Sequence, residues 1–444
     1  MSTPAQSHAR SSPPGFLDAW ERLVGPRGIP TLSARRGRKP RVPLTQVLPA
    51  LTFHVLQDAG TLAGHLFQLF RTPLADSSWS DRRQRLPWEI FAELMRRALR
   101  PRATPRQHRE AFWRGWRVVG LDGTQFSLIN TPQVTATTTK ARTRRGRAAF
   151  AKITTAVLLE IGLHNPLAAA VGRQGESEWA LAQRLLAQLP KRAVLLGDRL
   201  YGVIAFAQVA QAACQRVGSH FLLRASRSVK PHLRRRLADG SRLVGLAVRA
   251  PRNPSRIVAW LEVREIRVQV QRPGHRAHEL RLWTTLCDPR TAPALDLARL
   301  YASRWEHELY FREIKRQLRR SAVLQSHTVE TGAQEIAAIV LASAIIANER
   351  ARAATSPIPA LRVSFGQILN IVRGMWLVLG PFDDIFTDHQ KTRVMHRGRT
   401  LMRRSLIAPR RPRTCPRAVR QPVTRWPRLM KPESIEQPWD LQLV

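Results

Sequence analysis

The sequence predicts an α/β fold, and three observations carry that prediction. Short β-prone runs alternate with helical stretches from Trp116 onward. Two of those runs, Arg117–Leu121 and Ala193–Gly197, each deliver an aspartate into a Gly-containing turn. The segment from Tyr301 to Leu318 has no Gly or Pro, consists mostly of good helix formers, and reads as a helix. At 444 residues and 43% apolar content the chain is long enough for two or three domains with a sizeable core.

Residues 1–30 read as flexible, punctuated by Ser, Pro and Gly apart from a short segment, Phe16 to Leu23. A basic run, Arg35 to Arg41, leads into Leu44 to Phe70, which has helical periodicity, and Trp88 to Leu99 adds a further helix. Residues 31–112 are therefore a helical module. Residues 113–350 form the α/β part, with strands at Trp116–Leu121, Gln125–Ile129, Lys152–Ile161, Leu167–Gly172, Ala193–Gly197 and Phe221–Arg224. Helices Glu176–Leu189 and Val203–Arg216 alternate with them. Between about 225 and 290 the β-prone runs Ile257–Val263, Ile266–Val270 and Leu280–Leu286 are separated by Pro, Gly and Arg, a β-rich insertion. Glu330–Arg350 and Ser364–Leu379 are helical, the latter inside a helical region spanning 351–390. Residues 391–444 are dense in Arg and Pro, so an extended basic tail is expected there.

Formal net charge is +42, and Arg greatly outnumbers Lys. Such a surface attracts polyanions and releases their counterions, and Arg forks onto phosphate oxygens where Lys acts as a point charge. The basic runs Lys140–Arg147, with Lys140, Arg144 and Arg145, and Arg224–Arg236 are read as nucleic-acid backbone contacts rather than merely solvated surface. Cys214, Cys287 and Cys415 are far apart, which suggests neither a disulfide framework nor a zinc site. His275 and His278 read as a solvated hairpin tip. The longest apolar stretch, Ile336–Ala347, is too short for a bilayer and is interrupted by Ser343, so no membrane partner is expected and the setting is a reducing cytoplasm.

On an ideal helix Tyr301, Arg304, Glu308 and Lys315 fall at about 0°, 300°, 340° and 320°, a single polar stripe. Taken alone this is an ordinary salt-bridge face. Asp122, in Asp-Gly-Thr, and Asp198, in Asp-Arg-Leu-Tyr-Gly, each close a predicted strand. That position delivers a carboxylate to the sheet's edge, where α/β sites collect, although either one alone is as readily a turn or a cap. Glu160, Glu176 and Glu178 are further acids near the core; helix-start charge accounts for the last two.

The ordered set is more specific than its parts. The Tyr-(2)-Arg-(3)-Glu-(6)-Lys spacing, with the two Asp motifs upstream, resembles the DDE transposases of bacterial insertion sequences, in particular the insertion sequence four family, over roughly residues 30–350. The resemblance implies an RNase H-like core, a mixed five-stranded sheet flanked by helices, with a β-rich insertion before the Glu-bearing helix. It also implies that Asp122, Asp198 and Glu308 are catalytic. Three close carboxylates repel one another unless cations intervene, and an oxygen-only site suits two Mg²⁺ ions, with Mn²⁺ able to substitute.

The resemblance also implies roles for the neighbours of the three acids. Arg304 and Lys315 grip phosphates, Tyr301 hydrogen-bonds one, and Arg199 lies beside the second acid. Trp305 supports a flipped base or anchors the helix; Trp260 and Trp283 are weaker candidates for the stacking. Partners are DNA, both terminal inverted repeats and target, and a second copy of the chain in a synaptic homodimer formed through the region 351–390. The reaction expected is 3′-strand nicking, hairpin formation and strand transfer in a bacterial, nucleoid-associated setting. The alternative is a catalytically silent DNA-binding protein derived from a transposase.

Overall fold

The strand β2 (Trp116–Leu128) passes from one compact unit into another. The computed structural model describes residues 15–25, 28–30, 41–57, 59–140, 142–143, 146–271, 278–319, 321–354, 358–380, 382, 385–408 and 440–443. Arg144, Arg145, His275, Cys415, most of the basic run at 35–41 and most of the expected tail lie outside them. One unit comprises residues 1–110, 123–181 and 309–406; the other comprises 111–122, 182–308 and 407–444.

In the first unit five helices open the chain: α1 (Phe16–Val24), α2 (Leu44–Leu56), α3 (Leu62–Phe70), α4 (Asp76–Gln84) and α5 (Trp88–Ala98). The periodicity over Leu44–Phe70 divides into two helices because Gly60 takes a left-handed φ of 97° and Thr61 caps α3 by accepting from Gly64 N–H. A short α6 (Pro132–Thr137), a two-residue pair β3 (Arg142–Thr143) and β4 (Gly146–Arg147), and the antiparallel pair β5 (Lys152–Glu160) and β6 (Asn165–Gly172) come next. Helix α7 (Glu178–Leu185) begins in this unit.

The centre of this unit is α11 (Val329–Ala353), closed at its start by a reciprocal Thr328–Thr331 capping box. It is apolar nearly all round, as a helix surrounded by protein must be, and it packs on α2, α5 and β6. Its length and composition would suffice to cross a membrane, but 83% of its most apolar window is buried inside the protein, as in a core helix. Phe16 on α1 lies 4.9 Å from Phe53 on α2, and 5.5 Å from Trp376 on α12 (Phe365–Leu379), ring centroid to centroid. The expected extended tail fails at its start: residues 388–404 form α13 (Asp388–Arg404), nucleated by a Thr387–Gln390 capping box and packed through Met395, Gly398 and Met402. Its apolar positions recur at helical spacing, and that periodicity outweighs the Arg density.

The second unit is built on a sheet with the order β2, β7 (Ala193–Gly197), β8 (His220–Arg224), β12 (His278–Thr284), β11 (Asn253–Gln271), β10 (Arg242–Ala250), β9 (His232–Arg236). A two-residue β1 (Phe112–Trp113) also pairs with β2. β2, β7 and β8 run parallel, and α8 (Ile204–Arg216) connects the last two. From β8 onward the pairs are antiparallel. The two predicted runs at 257–263 and 266–270 are one continuous strand, β11. Midway along it Arg264 is wholly buried, donating to Ser241 Oγ (2.8 Å), Leu286 O (3.1 Å) and Ala292 O (2.6 Å) and pairing with Asp239. Asp239 also accepts from the N–H of Ala294, the first residue of α9 (Ala294–Ala302), so the insertion fixes where that helix starts. The antiparallel β5–β6 pair, the parallel β2–β7–β8 set and the helices flanking them fit an RNase H-like core.

Candidate active site

Strand register brings the first two acids together. In the parallel pair β2–β7, Leu121 is the partner of Gly197, and the next residues are Asp122 and Asp198. Neighbouring strands lie about 4.8 Å apart, so the two aspartates leave the sheet side by side. β2 does not end at Asp122, as a strand-end reading expects; it runs on to Leu128, and what ends there is its pairing with β7.

The string Asp198-Arg-Leu-Tyr-Gly202 is a turn that fixes the second acid. Asp198 Oδ1 accepts from Leu200 N–H at 2.7 Å, a local turn closure. Tyr201 is fully buried and packs on Phe206 at 4.7 Å between centroids. Gly202 passes so close to β8 that a Cβ there would lie 1.8 Å from the Arg224 carbonyl oxygen. Arg199 remains exposed beside the acid.

The expected single helix over Tyr301–Leu318 is broken twice. α9 stops at Ala302; Ser303 and Arg304 form a turn in which the Ser303 hydroxyl donates to Leu300 O (2.6 Å); α10 (Trp305–Arg312) then starts. The stretch Glu313–Leu318 is a π-helical turn. Its i→i+5 bonds widen the spiral, so a constant 100° per residue does not carry the stripe to Lys315. The break at Ser303 has a consequence for Arg304. Its Nη1 reaches Asp122 Oδ2 at 3.2 Å and its Nη2 reaches Glu308 Oε1 at 2.9 Å, joining the first and third acids through one guanidinium. Burial disfavours the Arg304 charge, but Tyr301, Glu308 and Asp122 outweigh it and hold its pKa above the ordinary value.

Tyr301 stands just before that turn, buried, and its hydroxyl has no hydrogen-bond partner among the described residues. Burial, with Asp198 and Asp122 nearby and Arg304 and Arg224 opposing, pushes its pKa up to about 12, so it carries its proton at neutral pH. Trp305 is partly exposed on α10. Of the insertion tryptophans, Trp283 is fully buried with its indole N–H 3.4 Å from Glu265 Oε1, which removes it as a stacking candidate. Trp260 is exposed under the Arg234 guanidinium, 4.7 Å from its ring centroid.

Lys140 and Lys315 belong to the first unit, and both are partly buried. Lys315 Nζ lies 5.2 Å from the Phe126 ring centroid. Burial, with Arg319 and Lys152 adding like charge, lowers its pKa to about 8. Glu178 does more than place charge at a helix start. Its side chain fills the space where Gly123 would carry a Cβ, with Cδ 2.1 Å from that position, so Glu178 packs on the backbone immediately after Asp122. The Gly in Asp122-Gly123-Thr124 was the available signal, since a close approach excludes any side chain.

Asp122, Asp198 and Glu308 offer oxygen donors alone, which suits a hard divalent cation, and the orphaned Tyr301 hydroxyl marks a polar position with no protein partner. Among the described residues no three His, Cys, Asp or Glu side chains are close enough to hold an ion together. The Arg304 guanidinium supplies the compensating charge between Asp122 and Glu308.

Residues 115–345, just over half of the chain, match the family model described as the transposase DDE domain. Transposase InsG for insertion sequence element IS4 of Escherichia coli (strain K12) is 27% identical over 276 residues, covering 61% of this chain and 60% of that protein. The chain thus matches less than two thirds of that relative's length. Among solved structures, the piggyBac transposase synaptic complex with hairpin DNA aligns with a TM-score of 0.43 at 8% identity, over 87% of this chain and 85% of that one.

Proposed function

Because the chain belongs to the DDE transposase family, we propose that it is the transposase of a bacterial insertion sequence, cutting and rejoining DNA with Asp122, Asp198 and Glu308 as its catalytic carboxylates. The observations that support this reading lie within one unit: Asp122 and Asp198 each come directly after a register pair on adjacent strands, and the Arg304 guanidinium pairs with both Asp122 and Glu308. DDE transposases work with divalent metal ions. The ions proposed here are two Mg²⁺, with Mn²⁺ able to substitute, and Asp122, Asp198 and Glu308 would hold them. Bound there, they supply activation of the nucleophile and stabilisation of the leaving oxygen at phosphorus.

The chain's own residues orient the DNA around that centre. In the free protein Arg304 neutralises Asp122 and Glu308; with DNA bound its guanidinium turns to a phosphate beside the scissile bond. Tyr301 donates its hydroxyl proton to a neighbouring phosphate oxygen. Lys315, Lys140, Arg144, Arg145 and Arg199 contact the backbone, and Trp305 stacks an unpaired base. The steps are 3′-strand nicking by water, attack of the freed 3′-OH to give a hairpin, and strand transfer into target DNA. The helical module at 31–112 binds the terminal inverted repeats. Two copies synapse the ends through the region 351–390; exposed Leu377, Val378, Phe382 and Ile385 support an apolar contact there. The setting is the bacterial cytoplasm, next to the nucleoid.

The test is a supercoiled plasmid bearing the cognate ends. With Mg²⁺ the wild-type chain nicks it, and Asp122→Ala abolishes nicking while end binding survives. Equal nicking by the alanine variant overturns the assignment. End binding by the wild type with no metal-dependent breakage favours the catalytically silent reading, for which the Arg304-closed acid pair is the supporting observation.

A further inference from the structure

Helix α13 occupies residues expected to be tail, and nothing in the family match, which ends at residue 345, assigns it a role. Its buried side is fixed. Lys391, Met395, Gly398 and Met402 face inward, and a Cβ on Gly398 would lie 1.9 Å from Met375 Sδ, so the helix backbone rests directly on α12. At about 100° per residue these four positions centre on one side of the helix, and the opposite side carries His389, Arg393, His396, Arg397, Thr400 and Arg404. Arg403 lies at its margin. Thr400 is half-buried; the other residues of this face are exposed, and it holds no acid.

The arginines of this face stand outside the ion pairs of the unit. Elsewhere in the same unit Arg22 pairs with Glu349, Arg96 and Arg97 with Glu93, and Arg173 with Glu330. Lys391 pairs with Asp388 (3.7 Å), off the stripe. Arg393, Arg397, Arg403 and Arg404 have no carboxylate partner among the described residues. We infer that α13 is a docking helix for duplex DNA of any sequence, its Arg393–Arg397–Arg404 face gripping the phosphate backbone.

Three physical points favour that occupant. The arginines extend over about 16 Å of helix, and a duplex offers about one negative charge per 1.7 Å of its axis. Guanidinium forks and the interleaved His and Thr donors suit phosphate oxygens. A membrane surface is disfavoured, because an interfacial helix inserts its apolar face and the apolar face of α13 is already buried on α12. The inference rests on the DNA-acting function proposed above and adds a contact outside the DDE domain.

The test measures equilibrium binding of the full chain, in EDTA to prevent cleavage, to two duplexes: one carrying the inverted repeat and one of unrelated sequence. Arg393→Gln/Arg397→Gln/Arg404→Gln should weaken both equally and make the slope of log K against log salt shallower by about 2.7, at about 0.9 per lost phosphate contact. Single substitutions should each remove about 0.9, which keeps the test valid if the triple variant folds poorly. Unchanged slopes with wild-type binding intact overturn the inference alone; a wild type that binds neither duplex overturns the proposed function with it. Lost binding to polyglutamate with unchanged duplex slopes also overturns it, pointing to an acidic protein partner.

Discussion

Glu308 and Glu313 stand little more than a helical turn apart in the chain and live in opposite chemical circumstances. Glu313 is buried, and both of its oxygens are engaged: Oε2 with His164 Nδ1 at 2.7 Å and Oε1 with Arg350 Nη2 at 2.7 Å. Burial alone would push its carboxyl up, but His164 and Arg350 outweigh that and hold it at about 2. Nearby, the Tyr310 hydroxyl is 3.0 Å from Ser343 Oγ. Glu308 is 41% exposed at its side chain and pairs with the Arg304 guanidinium, and the orphaned Tyr301 hydroxyl stands on the preceding helix of the same unit. The same residue types, Glu, Arg and Tyr, thus occur twice. Where the network closes on itself it holds the fold; where it stays open it is available to a ligand.

The largest expected effects would break this contrast if it is wrong. Glu308→Gln should lower cleavage of the end-bearing plasmid at least about a thousandfold, since several kcal/mol of transition-state stabilisation pass through such a carboxylate. It should cost at most about 1 kcal/mol of stability, as an exposed ion pair does. Glu313→Gln should do the reverse in kind, destabilising the fold by about 3–5 kcal/mol by leaving Arg350 buried without its carboxylate. Urea denaturation and plasmid nicking, measured on both variants, decide the matter; equal stability losses would erase the distinction. The pH sign comes from the depressed carboxyl. The Glu313 contribution is present above the unfolded-state pKa of about 4.3 and is lost as pH falls toward 2.

A smaller pair of effects sharpens it. Tyr310→Phe removes a satisfied hydroxyl and should cost about 1 kcal/mol, whereas Tyr301→Phe removes an unsatisfied one and should leave stability unchanged or slightly raised. If the Tyr301 hydroxyl donates to phosphate, the Phe variant should still lose about tenfold or more in cleavage, the value of one hydrogen bond to a charged group. A Tyr301→Phe chain that melts lower than wild type would show that the hydroxyl has a protein partner, and one that cleaves as fast would show that it donates to no phosphate.

The sequence was legible where a single residue type decides a local event. Ala193–Gly197 reads as a buried strand because all five residues are apolar or Gly and turn residues come after it, and the structure has those bounds. The three acids are legible as types in order, but the Leu121–Gly197 register before the first two and the reach of Arg304 to Asp122 and Glu308 are not, because linear spacing encodes neither. The helical wheel failed at Ser303, whose hydroxyl competes for a helix carbonyl, and again in the π-turn, where the angular step changes. Trp283, a weaker stacking candidate from sequence, packs inward, and its burial is set by cross-strand neighbours that sequence does not name. α13 was hidden by composition, although Met395, Gly398 and Met402 already lay on one face.

Lys315, in the first unit, gives the mildest and most discriminating test of the proposed DNA contacts. Its ammonium is half-buried beside Arg319 and Lys152, and its pKa of about 8 lies below the ordinary lysine value. Because the folded pKa is depressed, deprotonation favours the fold, and the stability linked to this group rises with pH between about 8 and about 10.4. DNA binding should run the other way. A phosphate beside the ammonium favours the charged form and raises its pKa, so duplex affinity should be nearly flat up to pH 7 and fall about tenfold by pH 9, with proton uptake on binding. Lys315→Arg keeps its charge over that range and should flatten the profile, while Tyr301→Phe should not. A wild-type profile as flat as that of Lys315→Arg would mean that Lys315 meets no phosphate, leaving its lowered pKa a consequence of packing alone.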